Sequence, residues 1–169
     1  FRGSVVTTAC TIDACADALG SFTVESDYDA GQITVSNWAI LTVNLSIQSN
    51  TAGTNTLATA KSFWISGNIS CSNKGGINQT AEYTVMRGST SKTITNTGTG
   101  SIAFYKFEEN SDTNSGSTAK TTISCNISVG ASGMYTNNWN NAGDGYFIID
   151  TGVTVTVSGG YYNKGKTET

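Results

Sequence analysis

Residues 121–129 read Thr-Thr-Ile-Ser-Cys-Asn-Ile-Ser-Val, an alternation of polar and apolar side chains that begins at residue 122. Successive side chains of a β-strand point to opposite faces, so we expect one set to be buried and the other to face water. The buried set comprises Ile123, Cys125, Ile127 and Val129. Asn126 belongs to the wet set and opens an N-glycosylation sequon, Asn-Ile-Ser. The segment therefore predicts a half-buried strand with an inward cysteine and an outward glycan acceptor.

Two further stretches follow the same rule. Residues 66–71 place Asn68, which opens a second sequon, on the polar phase and Cys71 on the buried phase. Residues 40–48 alternate again, and the sequon asparagine Asn44 lies on their wet phase. The inward residues of this last strand would be Leu41, Val43, Leu45 and Ile47. These patterns predict strands whose outer faces offer glycan acceptors.

A fourth sequon opens at Asn78, in the polar residues 72–80, which predict a turn. The sequons are hypotheses about modification, because asparagine avoids a protein core whether or not it carries a glycan. We predict that several of the four acceptors are glycosylated in the native source. The acceptors are Asn44, Asn68, Asn78 and Asn126.

Composition narrows the classes of protein that fit. Only 12% of the 169 residues are charged, whereas Thr, Ser and Asn number 27, 20 and 16. Thr favours strands, and Ser and Asn favour turns, so an all-β domain with uncharged polar surfaces is expected. The net charge of −3 offers no electrostatic basis for binding nucleic acid or an anionic membrane surface. No apolar run approaches the length of a membrane span.

Four cysteines, an even number, accompany the four sequons and favour an oxidising, extracellular location. Cys71 and Cys125 are predicted to form a structural disulfide, which would contribute roughly 4 kcal/mol by closing a long loop. Cys10 and Cys15 are too widely spaced for a redox motif and favour a local disulfide. Bridges from these two to the other pair are the alternative.

The chain contains about ten short segments of strand pattern and no convincing helix. We therefore predict a single-domain β-sandwich, Ig-like or jelly-roll-like, in residues 16–169, preceded by an N-terminal arm in residues 1–15. We find no internal repeat of fixed period. Residues 150–152, Asp-Thr-Gly, predict a local hairpin that leads into the alternating residues 153–157.

The chemistry-bearing residues give little support for catalysis. The sequence has no histidine, which excludes a Ser-His-Asp triad, and we expect no cofactor and no metal. Two carboxylate clusters, Asp27 with Asp29 and Glu108 with Glu109 and Asp112, match no metal-loop spacing. We interpret both as solvated loop charge, and we expect a protein that is not an enzyme.

Aromatic side chains are the best candidates for ligand contacts, since their rings can stack on sugars. Trp64 adjoins Phe63 in a strand and is expected in the core, whereas residues 134–139 form the best candidate for an exposed aromatic site. The aromatic residues considered are Trp38, Trp64, Trp139, Tyr135, Tyr161 and Tyr162.

The chain is low in charge, rich in Thr, Ser and Asn, bears sequons and starts with a β-prone arm. In these features it resembles surface filament subunits that polymerise by donor-strand complementation. The nearest are archaeal thread and bundling-pilus subunits, and bacterial chaperone–usher pilins are more distant. The resemblance lies in composition and layout rather than in a motif.

The resemblance implies an extracellular, head-to-tail filament of identical subunits for adhesion, cell–cell contact or biofilm formation. Its donor strand would lie in the N-terminal arm and fill the groove of the next subunit. The donor residues would be Phe1, Gly3, Val5 and Thr7 on one phase, or Val6 and Thr8 on the other. A C-terminal donor strand built on Val153, Val155 and Val157 is the alternative. The alternative function is a monomeric, secreted carbohydrate-binding or adhesin domain that contacts cell-surface glycans.

Overall fold

Within each sheet the strands run parallel, and each strand lies one coil beyond the previous strand of that sheet. The structure is a computed structural model, and it describes residues 10–12, 18–25, 31–35, 37, 39–41, 43–49, 54–110, 119–136 and 146–163. Consecutive strands lie in three different sheets, A, B and C, in a repeating order. Each strand pairs with the strand three places along the chain, which is the arrangement of a β-solenoid.

Sheet A consists of β1 (Cys10–Ile12), β4 (Gly31–Val35), β7 (Asn55–Thr59), β10 (Gly75–Gln79), β13 (Ile102–Phe104), β16 (Ile127–Val129) and β19 (Val155–Val157). Sheet B consists of β2 (Ala18–Leu19), β5 (Ala39–Leu41), β8 (Phe63–Ile65), β11 (Thr84–Arg87), β14 (Phe107–Asn110), β17 (Met134–Thr136) and β20 (Tyr161–Asn163). Sheet C consists of β3 (Phe22–Val24), β6 (Leu45–Gln48), β9 (Ile69–Ser72), β12 (Lys92–Asn96), β15 (Lys120–Ile123) and β18 (Tyr146–Ile149).

The core is a set of apolar columns that run along the solenoid axis. Because the strands pair in register, equivalent positions of successive coils lie directly above one another. The inner column of sheet C contains Phe22, Leu45, Ile69, Ile94 and Ile123, and it ends at Ile149, which is 50% exposed. The inner column of sheet A contains Ile33, Leu57, Ile77, Ile102, Ile127 and Val155. Each fully buried aliphatic side chain contributes about 2 kcal/mol of transfer free energy.

The predicted β-sandwich is wrong, although the all-β character is confirmed. A sandwich packs two antiparallel sheets, whereas all the pairs between these twenty described strands are parallel. Alternation specifies which side chains are buried but carries no information about the direction of the partner strand. The predicted hairpin at residues 150–152 is wrong for this reason: β18 pairs with β15, and β19 with β16.

The inward phase predicted for residues 121–129 is confirmed, but the segment is not one strand. It crosses a corner of the solenoid, from the end of β15 to the start of β16. The four predicted inward residues, Ile123, Cys125, Ile127 and Val129, are all buried. In residues 40–48 the corner does break the pattern, because Val43, which we predicted inward, is 46% exposed.

The predicted disulfide between Cys71 and Cys125 is wrong, since both thiols are free and buried. Cys71 pairs with Asn96 of the next coil, and Cys125 lies beyond β15, one coil further still. Parallel strands lie about 4.8 Å apart, so two coils separate these cysteines by roughly 10 Å, beyond the reach of a disulfide. The side chains of Cys10 and Cys15 lie outside the described residues.

The donor-strand interpretation also fails, for a reason that lies in the fold. Strand donation completes an open groove between the sheets of an incomplete sandwich. Here three sheets enclose one continuous core, so the described coils contain no such groove between two sheets. The predicted donor residues themselves, Phe1, Gly3, Val5, Val6, Thr7 and Thr8, lie outside the described residues. Residues 10–12 of the predicted arm form β1, which pairs with β4.

Among the described residues, no helix has the length and apolar character needed to cross a membrane.

Candidate binding pocket at the corner between sheets A and B

The corners that join sheet A to sheet B stack on one another, as the strands do. The main-chain N–H of Phe63 donates to the carbonyl oxygen of Tyr83, at 3.1 Å. One coil further on, the N–H of Thr84 donates to the carbonyl oxygen of Lys106, at 2.9 Å. These hydrogen bonds fix the corner residues of neighbouring coils side by side, although about 20 residues of sequence separate them.

A pocket of about 300 Å³ opens at this corner, and Ser62, Trp64, Glu82 and Tyr83 line it. Trp64 faces outward because its strand neighbours Phe63 and Ile65 are buried in the core. The pocket therefore combines two aromatic walls with a hydroxyl and a carboxylate. Such a mixture of apolar surface and a few fixed polar groups is typical of small-molecule sites.

The Glu82 carboxylate is held in place by the preceding coil. One of its oxygens accepts hydrogen bonds from the N–H and the hydroxyl of Ser62, both at 2.7 Å. The other oxygen lies 3.5 Å from the Nζ of Lys61. The hydroxyl of Ser62, more than the charge of Lys61, lowers the pKa of Glu82, so the carboxylate is ionised at neutral pH.

The backbone of Glu82 is also unusual. Its φ is +58°, in the left-handed region that side chains other than glycine rarely adopt. Such a conformation persists only where neighbouring contacts enforce it, and here the two hydrogen bonds from Ser62 supply those contacts. These bonds hold the Glu82 carboxylate where it lines the pocket.

Two cations lie over the aromatic walls. The guanidinium of Arg87 lies 5.3 Å from the ring centre of Trp64, and the Nζ of Lys106 lies 5.5 Å from that of Tyr83. Lys106 also lies 4.5 Å from the ring centre of Tyr135. Cations at these distances are attracted by the ring electrons, and this attraction favours the orientation that each ring has. A ring that is fixed in advance loses little conformational entropy when a ligand binds.

Further aromatic residues lie on the outer face of sheet B, three and four coils beyond Trp64. In register order, Trp64 is followed by Val85, Glu108, Tyr135 and Tyr162, one residue per coil. The rings of Tyr135 and Tyr162 stack with centres 4.6 Å apart and an angle of 15° between their planes. We call Trp64, Tyr83, Tyr135 and Tyr162 the aromatic strip.

The prediction that Trp64 lies in the core is wrong, because a three-residue strand that buries Phe63 and Ile65 must turn Trp64 outward. The exposed site predicted at residues 134–139 is partly described. Its first three residues form β17, and Tyr135 belongs to the aromatic strip. Tyr161 and Tyr162 are 56% and 48% exposed. Trp38 and Trp139 lie outside the described residues.

The sequon asparagines lie on outward positions, as the sequence predicts for Asn44, Asn68 and Asn126. Asn68, Asn78 and Asn126 are exposed and Asn44 is half-buried. Asn78 lies within β10 rather than in a turn. The N–H of Asn68 donates to the side-chain oxygen of Asn44, and the N–H of Thr93 to that of Asn68, each at 2.8 Å. Glycosylation remains a prediction.

The interpretation of Glu108 and Glu109 as solvated loop charge is wrong, because both residues belong to β14 and point to opposite sides. Glu108 forms an ion pair with Lys106 on the outer face. Glu109 is fully buried and accepts a hydrogen bond from the hydroxyl of Thr121. Asp112, like Asp27 and Asp29, lies outside the described residues. Within the described part of the chain, no cluster of metal-ligating side chains is found.

A buried lysine, not foreseen from the sequence, lies near Glu109. Lys92 is 2% exposed, and its Nζ donates to the carbonyl oxygens of Thr90 and Gly88, at 2.8 and 3.3 Å. Burial lowers the pKa of Lys92, while the charge of Glu109 acts in the opposite direction. The signal was present in the sequence, because Lys92 shares the inward phase of its strand with Ile94.

No protein-family model, curated protein or solved structure matches this chain significantly.

Proposed function

We propose that this protein is a secreted β-solenoid module that binds carbohydrate in the pocket at the corner between sheets A and B. The observation that carries the proposal is the pairing of two aromatic walls, Trp64 and Tyr83, with the fixed carboxylate of Glu82 in one pocket. A sugar ring presents an apolar face of C–H groups and an edge of hydroxyls. The aromatic walls fit the first, and Glu82 and Ser62 fit the second.

The volume of the pocket suits one or two sugar rings, and the aromatic strip extends away from it along the solenoid. Tyr135 and Tyr162 lie on the same face of sheet B, further along the register column that starts at Trp64. An extended polysaccharide that enters the pocket would cross the coils of Val85 and Glu108 before it reaches Tyr135 and Tyr162. The four sequons support a secreted location, although the free thiols of Cys71 and Cys125 no longer add to that argument.

The test is binding of the purified full chain to soluble and insoluble polysaccharides. Xylan, mannan, β-glucan and pectin would be used in affinity gel electrophoresis, and cellulose and chitin in pull-down assays. We expect at least one of them to retain the protein. Trp64→Ala and Tyr83→Ala should then weaken binding by about tenfold or more, because each removes an aromatic wall.

The matched control is Tyr105→Ala. Tyr105 is 38% exposed at the same kind of corner but does not line the pocket, so its removal should leave the affinity unchanged. Glu82→Gln keeps the shape of the side chain and removes its charge, and it should weaken binding less than the loss of either ring. Retention by no polysaccharide, or equal retention of Trp64→Ala and wild type, would overturn the proposal.

A further inference from the structure

The last coil that the structure describes, residues 146–163, consists of β18, β19 and β20. Among the described strands, each of these three is the final strand of its sheet and pairs on one side only. The other side of such a strand carries a row of main-chain N–H and C=O groups that can pair with a further strand. We call the surface formed by these three edges and the side chains between them the C-terminal end.

The apolar columns of the core reach this surface and end there incompletely covered. In the preceding coil, the inward side chains are all buried: Ile123, Ile127, Val129 and Met134. Their register partners in the last coil are Ile149, Val155, Val157 and Tyr161. Of these partners, Ile149 and Tyr161 are 50% and 56% exposed, and both valines are only partly buried. All three inner columns therefore lack the side chains of a further coil above them.

An apolar pocket of about 250 Å³ opens between these side chains. It is lined by Met134, Phe147, Ile149, Val155, Val157 and Tyr161. The ring of Phe147 is held against that of Phe107, with ring centres 5.1 Å apart. Small-molecule pockets usually have roughly 300 to 1,000 Å³, so this smaller and wholly apolar one suits an inserted side chain better than a ligand. The C-terminal end thus has the apolar centre that a protein–protein contact needs.

The opposite end of the solenoid differs in this respect. Phe22 and Val24 belong to β3, the first strand of sheet C, and they are 6% and 0% exposed within a single chain. The first inward side chains of sheet C are therefore already covered, whereas Ile149, the last one of the same sheet, is half exposed. Stacked-repeat proteins need a polar cap over each terminal repeat to stay soluble. Residues 164–169 contain no apolar side chain that could extend the inner columns.

We propose that the C-terminal end binds the C-terminal end of a second copy of this chain. The occupant has to offer three strand edges around an apolar centre, which is what another solenoid end presents. The N-terminal end of a second copy is already covered at sheet C, so the matching surface is the C-terminal end. A two-fold axis across this surface brings the edge strands of the two copies together antiparallel, and the contact closes as a dimer.

The charges of the last coil permit a contact between two identical surfaces. Residues 146–163 contain a single charged side chain, that of Asp150. Natural proteins prevent edge-to-edge pairing with lysine or proline on an exposed edge strand, and β18, β19 and β20 contain neither. Two copies can therefore meet here without rows of like charges facing each other, which would otherwise oppose the dimer.

The inference does not rest on the proposed binding of carbohydrate. Trp64 lies four coils before Tyr162 in the same register column, so the pocket at the corner between sheets A and B is remote from the C-terminal end. Both pockets of the dimer would remain open.

The test is the molar mass of the full chain in solution, made in a host that does not glycosylate it. Size-exclusion chromatography with light scattering, over a hundredfold range of protein concentration, should show a dimer that dissociates on dilution. Ile149→Lys and Tyr161→Lys each place a charge at the end of an inner column and should raise the dissociation constant at least tenfold. In hydrogen exchange, the main-chain N–H groups of β18, β19 and β20 should exchange more slowly at high protein concentration than at low.

The matched control is Val43→Lys, which introduces the same charge at a side chain that is 46% exposed, at a corner of an early coil. It should leave the dissociation constant unchanged. Circular dichroism establishes that the variants fold, and the more exposed Tyr161 provides the test even if Ile149→Lys does not fold. A monomer at every concentration, open-ended polymers in place of a dimer, or an effect of Val43→Lys equal to that of Tyr161→Lys would overturn the inference.

Discussion

The side-chain oxygen of Asn126 accepts a hydrogen bond from the main-chain N–H of Thr154, 28 residues along the chain and one coil away. Asn44 and Asn68 make the same kind of bond to the coil that follows each of them. At these corners the strand ladder ends, and the asparagine supplies an acceptor that the backbone lacks. Asn44, Asn68 and Asn126, three of the four sequon asparagines, therefore have a structural role whether or not they carry glycans.

Asn126→Ala should lower the free energy of unfolding by about 1 kcal/mol, because the N–H of Thr154 loses its acceptor. Ser128→Ala destroys the same sequon but leaves that hydrogen bond intact, so its effect should stay within about 0.5 kcal/mol. Urea unfolding of both variants, made without glycosylation, measures the difference. Equal stability of the two variants would contradict a stabilising role for the hydrogen bond between Asn126 and Thr154.

Glycosylation is a separate prediction. Asn68, Asn78 and Asn126 are exposed, and the hydrogen bonds at Asn68 and Asn126 use the side-chain oxygen, which leaves the nitrogen available for a glycan. We expect intact mass spectrometry of protein from a glycosylating host to show several added glycans that enzymatic deglycosylation removes. An unmodified mass would refute this prediction, and peptide mapping would identify the occupied positions.

The buried pair of Lys92 and Glu109 should be sensitive to the loss of one member. Lys92→Met leaves the fully buried Glu109 carboxylate without its neighbouring cation, which should destabilise the protein by about 3 kcal/mol. Lys92→Met combined with Glu109→Leu should recover most of that stability, since no charge then remains buried. The surface control is Lys61→Met, which removes an exposed ion pair and should cost less than about 1 kcal/mol.

A double-mutant cycle in urea gives the coupling energy of Lys92 and Glu109 directly. A coupling near zero would mean that the two charges are stabilised separately, Lys92 by the carbonyl oxygens of the 88–90 turn and Glu109 by Thr121.

The two buried thiols should make stability fall at alkaline pH. Burial, and in second place the neighbouring charge of Cys125, raises the pKa of Cys71 to about 12, and burial raises that of Cys125 to about 11. The unfolded chain releases these protons near pH 9, while the folded chain keeps them. The folded state therefore binds more protons between pH 9 and about 12, and the free energy of unfolding decreases with pH across that range.

The variant Cys71→Val with Cys125→Val should flatten this slope, as measured by urea unfolding at several pH values. In the native wild type, iodoacetamide should label neither thiol, and peptide mapping after unfolding should find both labelled. Rapid labelling of Cys71 in the native protein, or a peptide that contains both residues in a disulfide, would contradict the buried, free thiols.

The sequence predicts which side chains of this fold are buried much better than it predicts which strands pair. The inward phase of residues 121–129 was right because alternation depends only on the backbone pleat. The solenoid was missed because its coils differ in length: Ile77 follows its partner Leu57 by 20 residues, whereas Ile123 follows Ile94 by 29. Loops of variable length at the corners hide a repeat that is regular in space.

The candidate site was harder to predict from the sequence than the pairing of the strands. Ser62 and Glu82 come from corners of neighbouring coils, and only the register of the strands brings them together. Nothing in the local sequence of either marks it as a ligand-binding residue. Trp64 could have been placed correctly, since a strand with Phe63 and Ile65 inward leaves no other direction for it. Its position beside Phe63 led to the opposite conclusion, although neighbouring residues of a strand point to opposite faces.

Two glycines at equivalent corners test the register of the solenoid itself. At Gly67 a Cβ would lie 1.6 Å from the carbonyl oxygen of Val43, in the preceding coil, so Gly67→Ala must push the two coils apart. Gly20 lies one coil before Val43, and the N–H of Val43 donates to the carbonyl oxygen of Gly20 at 2.8 Å. A Cβ at Gly20 would nevertheless meet nothing within 4 Å. We expect Gly67→Ala to cost about 3 kcal/mol or more and Gly20→Ala to stay within about 0.5 kcal/mol. Thermal unfolding of the two variants gives the answer, and a Gly67→Ala protein as stable as Gly20→Ala would refute the stacking of these corners.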